Sequence, residues 1–427
     1  MSDSASHAAK QRSKMRWVML GFVTLMNFFL VGFTNQSFNL LLAPISVELG
    51  WEPVQRTAIA TAMSAGMVWF IFVAGVLLDK ISVKKIIFSS IFLAGILVAL
   101  RGQAEGFTFF FAIKFLYGVA IAFFIPADAK TVGLWFDKDE LPVANGIIMA
   151  ASPLGFFFGN MFTGRLMAIF GQWQLLYTVL GIGAIIIAVA YLIIGKERKS
   201  EDASLTSDIL TKENLGVWKN IMGVLKLPLV WIFCLANAFM LGTLHAATIL
   251  GNYVFQTDPR WGLDLVSSGQ LVAFSNVASL TSFVLLPIII RKFNLAKHYV
   301  KLAIVFGFIT AIANLIGHVS YIFGVLAFTL AFTGLMAGIV LAAPRILMLR
   351  LPEVSGPRAG TAMGAYLTIE RLAITLFVTL LGGLISLPGA QMSVMLGVFY
   401  QLQLLAPILL IIGVYLMKRK YKNTTQA

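Results

Sequence analysis

The sequence predicts an all-α membrane protein: twelve transmembrane helices arranged as two pseudo-symmetric six-helix bundles. Three observations carry that prediction. The 427-residue chain is 59% hydrophobic and only 12% charged, with a mean hydropathy of +0.89, whereas an ordinary soluble domain is about 25% charged. Its apolar residues fall into twelve runs, and a membrane-crossing helix needs about 20 such residues. The longest polar break, residues 196–228, leaves six runs on each side.

The opening SDSASHAAKQRSK is polar and basic. It leads into an apolar run, Trp17 to Ile45, which is too long for a signal-peptide core and reads as a retained first span. The next five runs are 57–78, 86–103, 107–131, 146–168 and 174–195. With the first they form a bundle over 1–195. The break over 196–228 begins with the charged stretch KERKSEDASLTSD. It continues with Trp218, Ile221, Met222 and Leu225 at helical spacing, while Lys219 and Lys226 fall off that face. This pattern predicts an amphipathic helix on the inner membrane surface, in the role of a linker. The second bundle covers 229–427, with runs 229–255, 268–290, 299–317, 321–349, 358–386 and 393–417.

Charge sets the orientation. The net charge is +14. The basic residues sit in short segments between apolar runs, which points to a membrane surface and not to nucleic acid. Arg56, Arg101 and Arg260 fall on one side, and Lys114, Arg165, Arg345 and Arg371 fall inside the runs. All other lysines and arginines fall on the opposite side. That side is the cytoplasm, so both termini are inside and the number of spans is even. Cys234 is the single cysteine and lies within an apolar run, and the four histidines are scattered. The sequence therefore offers no intrachain disulfide and no metal-ligand cluster. No phosphate-binding Gly-x-x-x-x-Gly-Lys-Ser/Thr loop is present, and no cofactor is expected.

The two bundles resemble each other. Pro126 corresponds to Pro344, Ala144-Asn145-Gly146 to Ala359-Gly360-Thr361, and Gly75…Asp79-Lys80 to Pro287…Arg291-Lys292, at separations of 212 to 218 residues. Three similar offsets indicate a duplicated six-span unit of the kind that builds a site between its halves.

The loop after the second run reads GVLLDKISVKK, Gly75 to Lys85. It resembles the signature of the major facilitator superfamily, G-x-L-x-D-R-x-G-R-[RK]. Gly75, Leu77 and Asp79 match, and Lys80, Lys84 and Lys85 supply the basic positions. Ser82 stands where the family has glycine. KFLYG, Lys114 to Gly118, resembles the family's Arg-x-x-x-Gly with lysine in place of arginine, and LWFDKDELPVANG resembles its following loop. The resemblance implies alternating access, with spans 1, 4, 7 and 10 lining the pathway. It also implies a gating latch built from Gly75, Asp79, Lys80, Lys84 and Lys85. The fifth-span motif of drug antiporters is poorly met, because Phe156 and Phe157 occupy its glycine positions. The layout loosely resembles the oxalate/formate and monocarboxylate branch.

Charges at membrane depth are costly, and they mark functional groups unless they are paired. Glu370 and Arg371 lie near the middle of the eleventh run, pointing about 100° apart on a helix. Arg371 is the candidate for a substrate carboxylate, because a guanidinium binds one bidentately. Lys114 serves in ion coupling or substrate attraction, or else snorkels. Asn27, Asn35, Tyr253 and Asn276 are the polar candidates for substrate contact. Glu370 and His245 are the candidates for ion coupling, with an interhelical tie as the alternative for each. Asp128, Lys130 and Arg345 fall near cytoplasmic ends and read as gating or structural.

These residues lead to the expectation of a monomeric secondary transporter in a bacterial inner membrane, not an enzyme. It moves a small organic anion, with protons as the coupling ion. An exporter of lipophilic compounds and a non-transporting membrane sensor are the alternatives.

Overall fold

A computed structural model describes residues 2–78, 81–137, 140–197, 223–354 and 358–421. Every regular element among the described residues is helical. The first span is α1 (Ser2–Met26), a π-helical segment (Asn27–Thr34) and α2 (Asn35–Glu48). It is followed by α3 (Pro53–Leu78), α4 (Val83–Arg101), α5 (Phe107–Trp135), α6 (Leu141–Phe170) and α7 (Trp173–Ile194). The second set is α8 (Pro228–Thr257), α9 (Leu265–Lys292), α10 (Tyr299–Ser320), α11 (Phe323–Leu349) and α12 (Arg358–Ile385). A last span joins α13 (Met392–Phe399) through a 3₁₀ segment (Tyr400–Leu404) to α14 (Leu405–Tyr421). Ten of these stretches are long and apolar enough to cross a membrane. With α3 and α9 there are twelve long helical stretches, one for each predicted run.

The chain forms two compact units, Met1–Glu201 and Asp202–Ala427. Within each unit the same pairs of spans pack together. In the first, α3 lies along α5, α4 meets both α5 and α7, and the π segment with α2 meets α6. In the second, α9 lies along α11, α10 meets α11 and the last span, and α8 meets α12. The shared pairing is what a duplicated six-span unit produces.

Helices dominate because lipid offers no hydrogen-bond partners, so each backbone group must be satisfied within its own span. Local signals set the ends. Pro142 and Pro228 sit in the first turns of α6 and α8, where a missing N–H costs nothing. Gly171, at φ +73°, ends α6 in a left-handed turn that glycine adopts without strain. Ser82 accepts a hydrogen bond from the Lys85 N–H and caps α4. Its φ is −50°, so the position where the superfamily signature has glycine needs no glycine here. Asp79 and Lys80 of the predicted latch lie outside the described residues, as do Trp218, Lys219, Ile221 and Met222 of the predicted amphipathic helix.

In the first unit an aromatic chain runs through the core. Phe38 meets Phe110 at 5.7 Å, and Phe110 meets Trp51 at 5.0 Å and Trp173 at 6.2 Å. The α3–α5 crossing depends on Gly118, where a Cβ would stand 2.1 Å from the Met63 carbonyl oxygen. Small residues allow such close backbone approach in membranes. This is the glycine of KFLYG, so that motif has a packing reason of its own.

In the second unit Phe233, Cys234, Leu347, Met348, Tyr366 and Leu410 form the largest described cluster. One end of this unit is tied by Asp258, which accepts from the Ser393 N–H at 2.9 Å, while Ser393 Oγ donates to the His318 carbonyl at 2.9 Å. Many large apolar side chains remain exposed, among them Trp69, Ile169, Ile193, Phe328 and Tyr415. They are the lipid-facing surface expected of spanning helices.

Candidate functional site

Lys114 is 1% exposed, and its Nζ lies 3.1 Å from the centroid of the Phe38 ring. It is therefore buried between α5 and α2 and does not snorkel. A second cation lies near it. Arg101, at the end of α4, is fully buried and lies within electrostatic reach of Lys114. The Arg101 guanidinium stands 4.4 Å over Tyr117 and 5.8 Å over Tyr177, and none of its three nitrogens has a hydrogen-bond partner among the described residues. Charge counting counts Arg101 with the outer side. The structure adds that it is buried there, because α5 and α7 close over the last turn of α4. Neither cation has a carboxylate within ion-pair distance among the described residues.

The first span bends into its π segment at Asn27. Asn27 Nδ2 donates to Asp128 Oδ2 at 2.6 Å and to the Val23 carbonyl at 3.0 Å. Tyr117 Oη donates to the Leu30 carbonyl at 2.7 Å, and Thr34 Oγ1 donates to the Phe29 carbonyl at 2.8 Å. The wide turn is thus held by groups from α5 as well as by its own side chains. At the same level a Cβ on Gly155 of α6 would lie 2.2 Å from the Phe28 carbonyl oxygen. Farther along, Gln36 Nε2 donates to Asn160 Oδ1 and Asn39 Nδ2 donates to Gln36 Oε1, both at 3.1 Å. Asn35 is half-buried and free of these amide bonds.

In the second unit α8 and α12 bring the predicted residues together. Asn237 Nδ2 donates to Glu370 Oε2 at 3.1 Å. Glu370 also lies within electrostatic reach of Tyr366, which in turn senses Arg345 and Cys234. Arg371, next in sequence, lies within electrostatic reach of His245. His245 Nδ1 approaches the Leu241 carbonyl at 3.1 Å. A carbonyl only accepts, so the hydrogen sits on Nδ1, and neutral His245 keeps Nε2 as an acceptor. Arg371 is partly exposed and has no carboxylate within ion-pair distance among the described residues. Tyr253 is buried on the same helix as His245, and Asn276 on α9 keeps a buried Nδ2 without a partner. Neither has a described contact with Arg371.

Of the latch residues, Gly75 lies in α3 and Lys85 in the first turn of α4. Lys84 lines a small cavity with Lys196, Glu197 and Tyr191. Sequence reasoning passed over Asn237, although it stands eight residues before His245 and so shares its helix face. Arg101 gave no such signal, because it ends an apolar run and looks like a flank.

The family model of the Major Facilitator Superfamily matches residues 24–378. The chain belongs to that superfamily. It is similar to a protein of Agrobacterium vitis named as a tartrate transporter, at 24% identity over 281 residues, 63% of each chain. It is also similar to the galactarate/D-glucarate transporter GudP of Escherichia coli (strain K12), at 28% over 159 residues, 35% of this chain and 34% of that one. The chain therefore aligns with less than two thirds of the length of these curated relatives. Among solved superfamily folds, a bacterial homologue of the human drug peptide transporters PepT1 and PepT2 superposes with a TM-score of 0.71 at 15% identity, over 95% of this chain and 99% of that one. A bacterial homologue of the human lysosomal transporter Spinster, inward-facing and unoccupied, gives 0.69 at 13%, over 94% and 95%. At such identities the likeness shows the fold alone.

Proposed function

We propose that this superfamily member is a secondary transporter of a small organic anion, a hydroxylated carboxylate of the tartrate or galactarate kind. It works by alternating access and is coupled to protons. The observation that carries the reading is Arg371. A mid-span guanidinium is costly in a membrane, and its sequence neighbour Glu370 is engaged with Asn237 instead. A substrate carboxylate supplies the missing bidentate partner. The names of the tartrate and galactarate relatives support the same class.

In this reading Arg371 orients a carboxylate, and Lys114 is a separate candidate within the first unit. Asn35, Tyr253 and Asn276 are the groups available to substrate hydroxyls. Glu370 and His245 are the candidates for the coupling proton in the second unit. Both termini face the cytoplasm, as the distribution of lysine and arginine requires.

The test is uptake of labelled tartrate and galactarate into liposomes containing the purified protein, beside a thermal-stability screen with the same compounds and with lipophilic cations. A ligand at 100 times its dissociation constant adds about 2.7 kcal/mol to the folded state. Stabilisation and uptake of a carboxylate by the wild type, both lost in Arg371→Ala, support the proposal. Stabilisation of both proteins by lipophilic cations alone replaces it with an exporter.

A further inference from the structure

We propose that Asp128 in α5 is a proton-binding site of the transport cycle, whose protonation is read out by the hydrogen bond it accepts from Asn27. The inference rests on the transporter reading above and adds to it a proton site in the first unit.

Asp128 is 5% exposed. Its carboxylate accepts from Asn27 Nδ2 at 2.6 Å. No cation among the described residues pairs with it. The charged groups on the packed elements are engaged elsewhere or directed away. Arg16 on α1 pairs with Glu140, ahead of α6, at 2.6 Å. Lys130, on α5 itself, donates to the Leu78 carbonyl at 2.6 Å. On α4, Lys84 lines the cavity that also holds Lys196 and Glu197 beyond α7, and Lys85 is exposed. Asp79 and Lys80, after α3, lie outside the described residues.

A buried carboxylate whose side-chain partner is a neutral amide is costly when ionised and far less so when protonated. A proton also needs no cavity, so the tight packing is no obstacle. On binding, the proton forms an O–H bond on the carboxylate, the negative charge is lost, and an acceptor becomes a donor. The partner is placed to respond. Asn27 is the first residue of the π segment, and π turns inside helices recur at functional sites. Loss of the carboxylate charge changes the hydrogen bond that anchors this wide turn to α5. Protonation of Asp128 is thereby linked to the shape of the first span.

The experiment has two arms. In liposomes, carboxylate uptake driven by an imposed pH gradient is compared with carboxylate exchange at equal pH, for wild type and Asp128→Asn. The ratio of the two is expected to fall by about tenfold or more in the variant, as for a lost coupling free energy. An unchanged ratio overturns the proposal. In the second arm, infrared difference spectra of the purified protein without substrate are taken between alkaline and acidic buffer. A protonated-carboxyl C=O band should appear in the wild type, disappear in Asp128→Asn and shift in Asn27→Ser, which keeps the acid and serves if Asp128→Asn fails to fold. Spectra that superimpose in all three overturn the assignment. If the wild type carries no carboxylate, the substrate reading fails, and the infrared band still decides Asp128.

Discussion

Asn237 of α8 donates to Glu370 of α12 across 3.1 Å, while Arg371, the residue beside it, lies within electrostatic reach of His245. Two charges that look like a pair in sequence therefore serve different neighbours. Glu370→Gln keeps an acceptor for Asn237 and is expected to remain folded. Asn237→Ala leaves a half-buried carboxylate oxygen without its donor and is expected to cost about 1 kcal/mol. Thermal unfolding of the purified variants checks this. If Asn237→Ala melts with the wild type, the contact has no role in stability.

Arg371→Ala and Lys114→Met should remain folded yet weaken carboxylate binding by about tenfold to a hundredfold, the range for losing a charged hydrogen bond. Arg371→Lys should recover only part of this, because an ammonium cannot make the bidentate contact. Equilibrium titration with labelled substrate measures both. Full affinity in Arg371→Lys would show that only charge matters there.

Arg101 makes an unusual prediction, because its buried guanidinium contacts rings and no acceptor. Arg101→Met fills the space without a charge and should leave the melting temperature unchanged or raise it, as for other buried charges replaced by apolar groups. Arg101→Ala opens a gap beside Tyr117 and Tyr177 and should lower it, for a loss of stability of about 2–5 kcal/mol if the site does not collapse. Equal losses in both variants would mean that the charge itself holds the fold.

Gly118→Ala tests the α3–α5 crossing. A methyl group 2.1 Å from the Met63 carbonyl oxygen forces the helices apart, at a cost of about 1–3 kcal/mol or more. The expected outcome is a lower melting temperature and less monodisperse protein on size exclusion. Wild-type behaviour in both assays would remove the packing explanation for the KFLYG glycine.

Glu353, between α11 and α12, meets Lys420 at 2.6 Å and accepts from Tyr421 Oη. Partial burial pushes its carboxyl up, but the hydrogen bonds from Lys420 and Tyr421 outweigh it and hold the carboxyl below its usual range. A lowered folded value means that the stabilisation is present above the unfolded value, about 4.3, and is lost as the pH falls through the folded value. The pair is largely exposed, so its worth is under about 1 kcal/mol. Glu353→Gln should melt slightly below the wild type at neutral pH and together with it in acid. A gap that persists in acid would rule out the ion pair as its source.

The fold was legible because its signals are local. Apolar runs of spanning length, the break at 196–228 and the one-sided lysines and arginines each follow from how lipid and water treat a side chain. The duplicated unit was legible for the same reason, in Pro126 with Pro344 and in the two short loops. The candidate site was legible only as residue types at depth. Arg371, Lys114, Glu370 and His245 stood out because a charge or an imidazole in an apolar run needs a reason.

The sequence alone thus determined the membrane setting, the helical class, the superfamily resemblance and the short set of charges that need partners. Tertiary structure decided who those partners are. It tied Glu370 to Asn237 and Asp128 to Asn27, carried Arg101 inside the bundle, and laid Lys114 on the Phe38 ring. The physical reason is range. Spanning length and charge asymmetry are sums over neighbours in the chain. A hydrogen bond or an unpaired cation instead depends on a few ångströms between helices that may be a hundred residues apart, and only packing sets that distance.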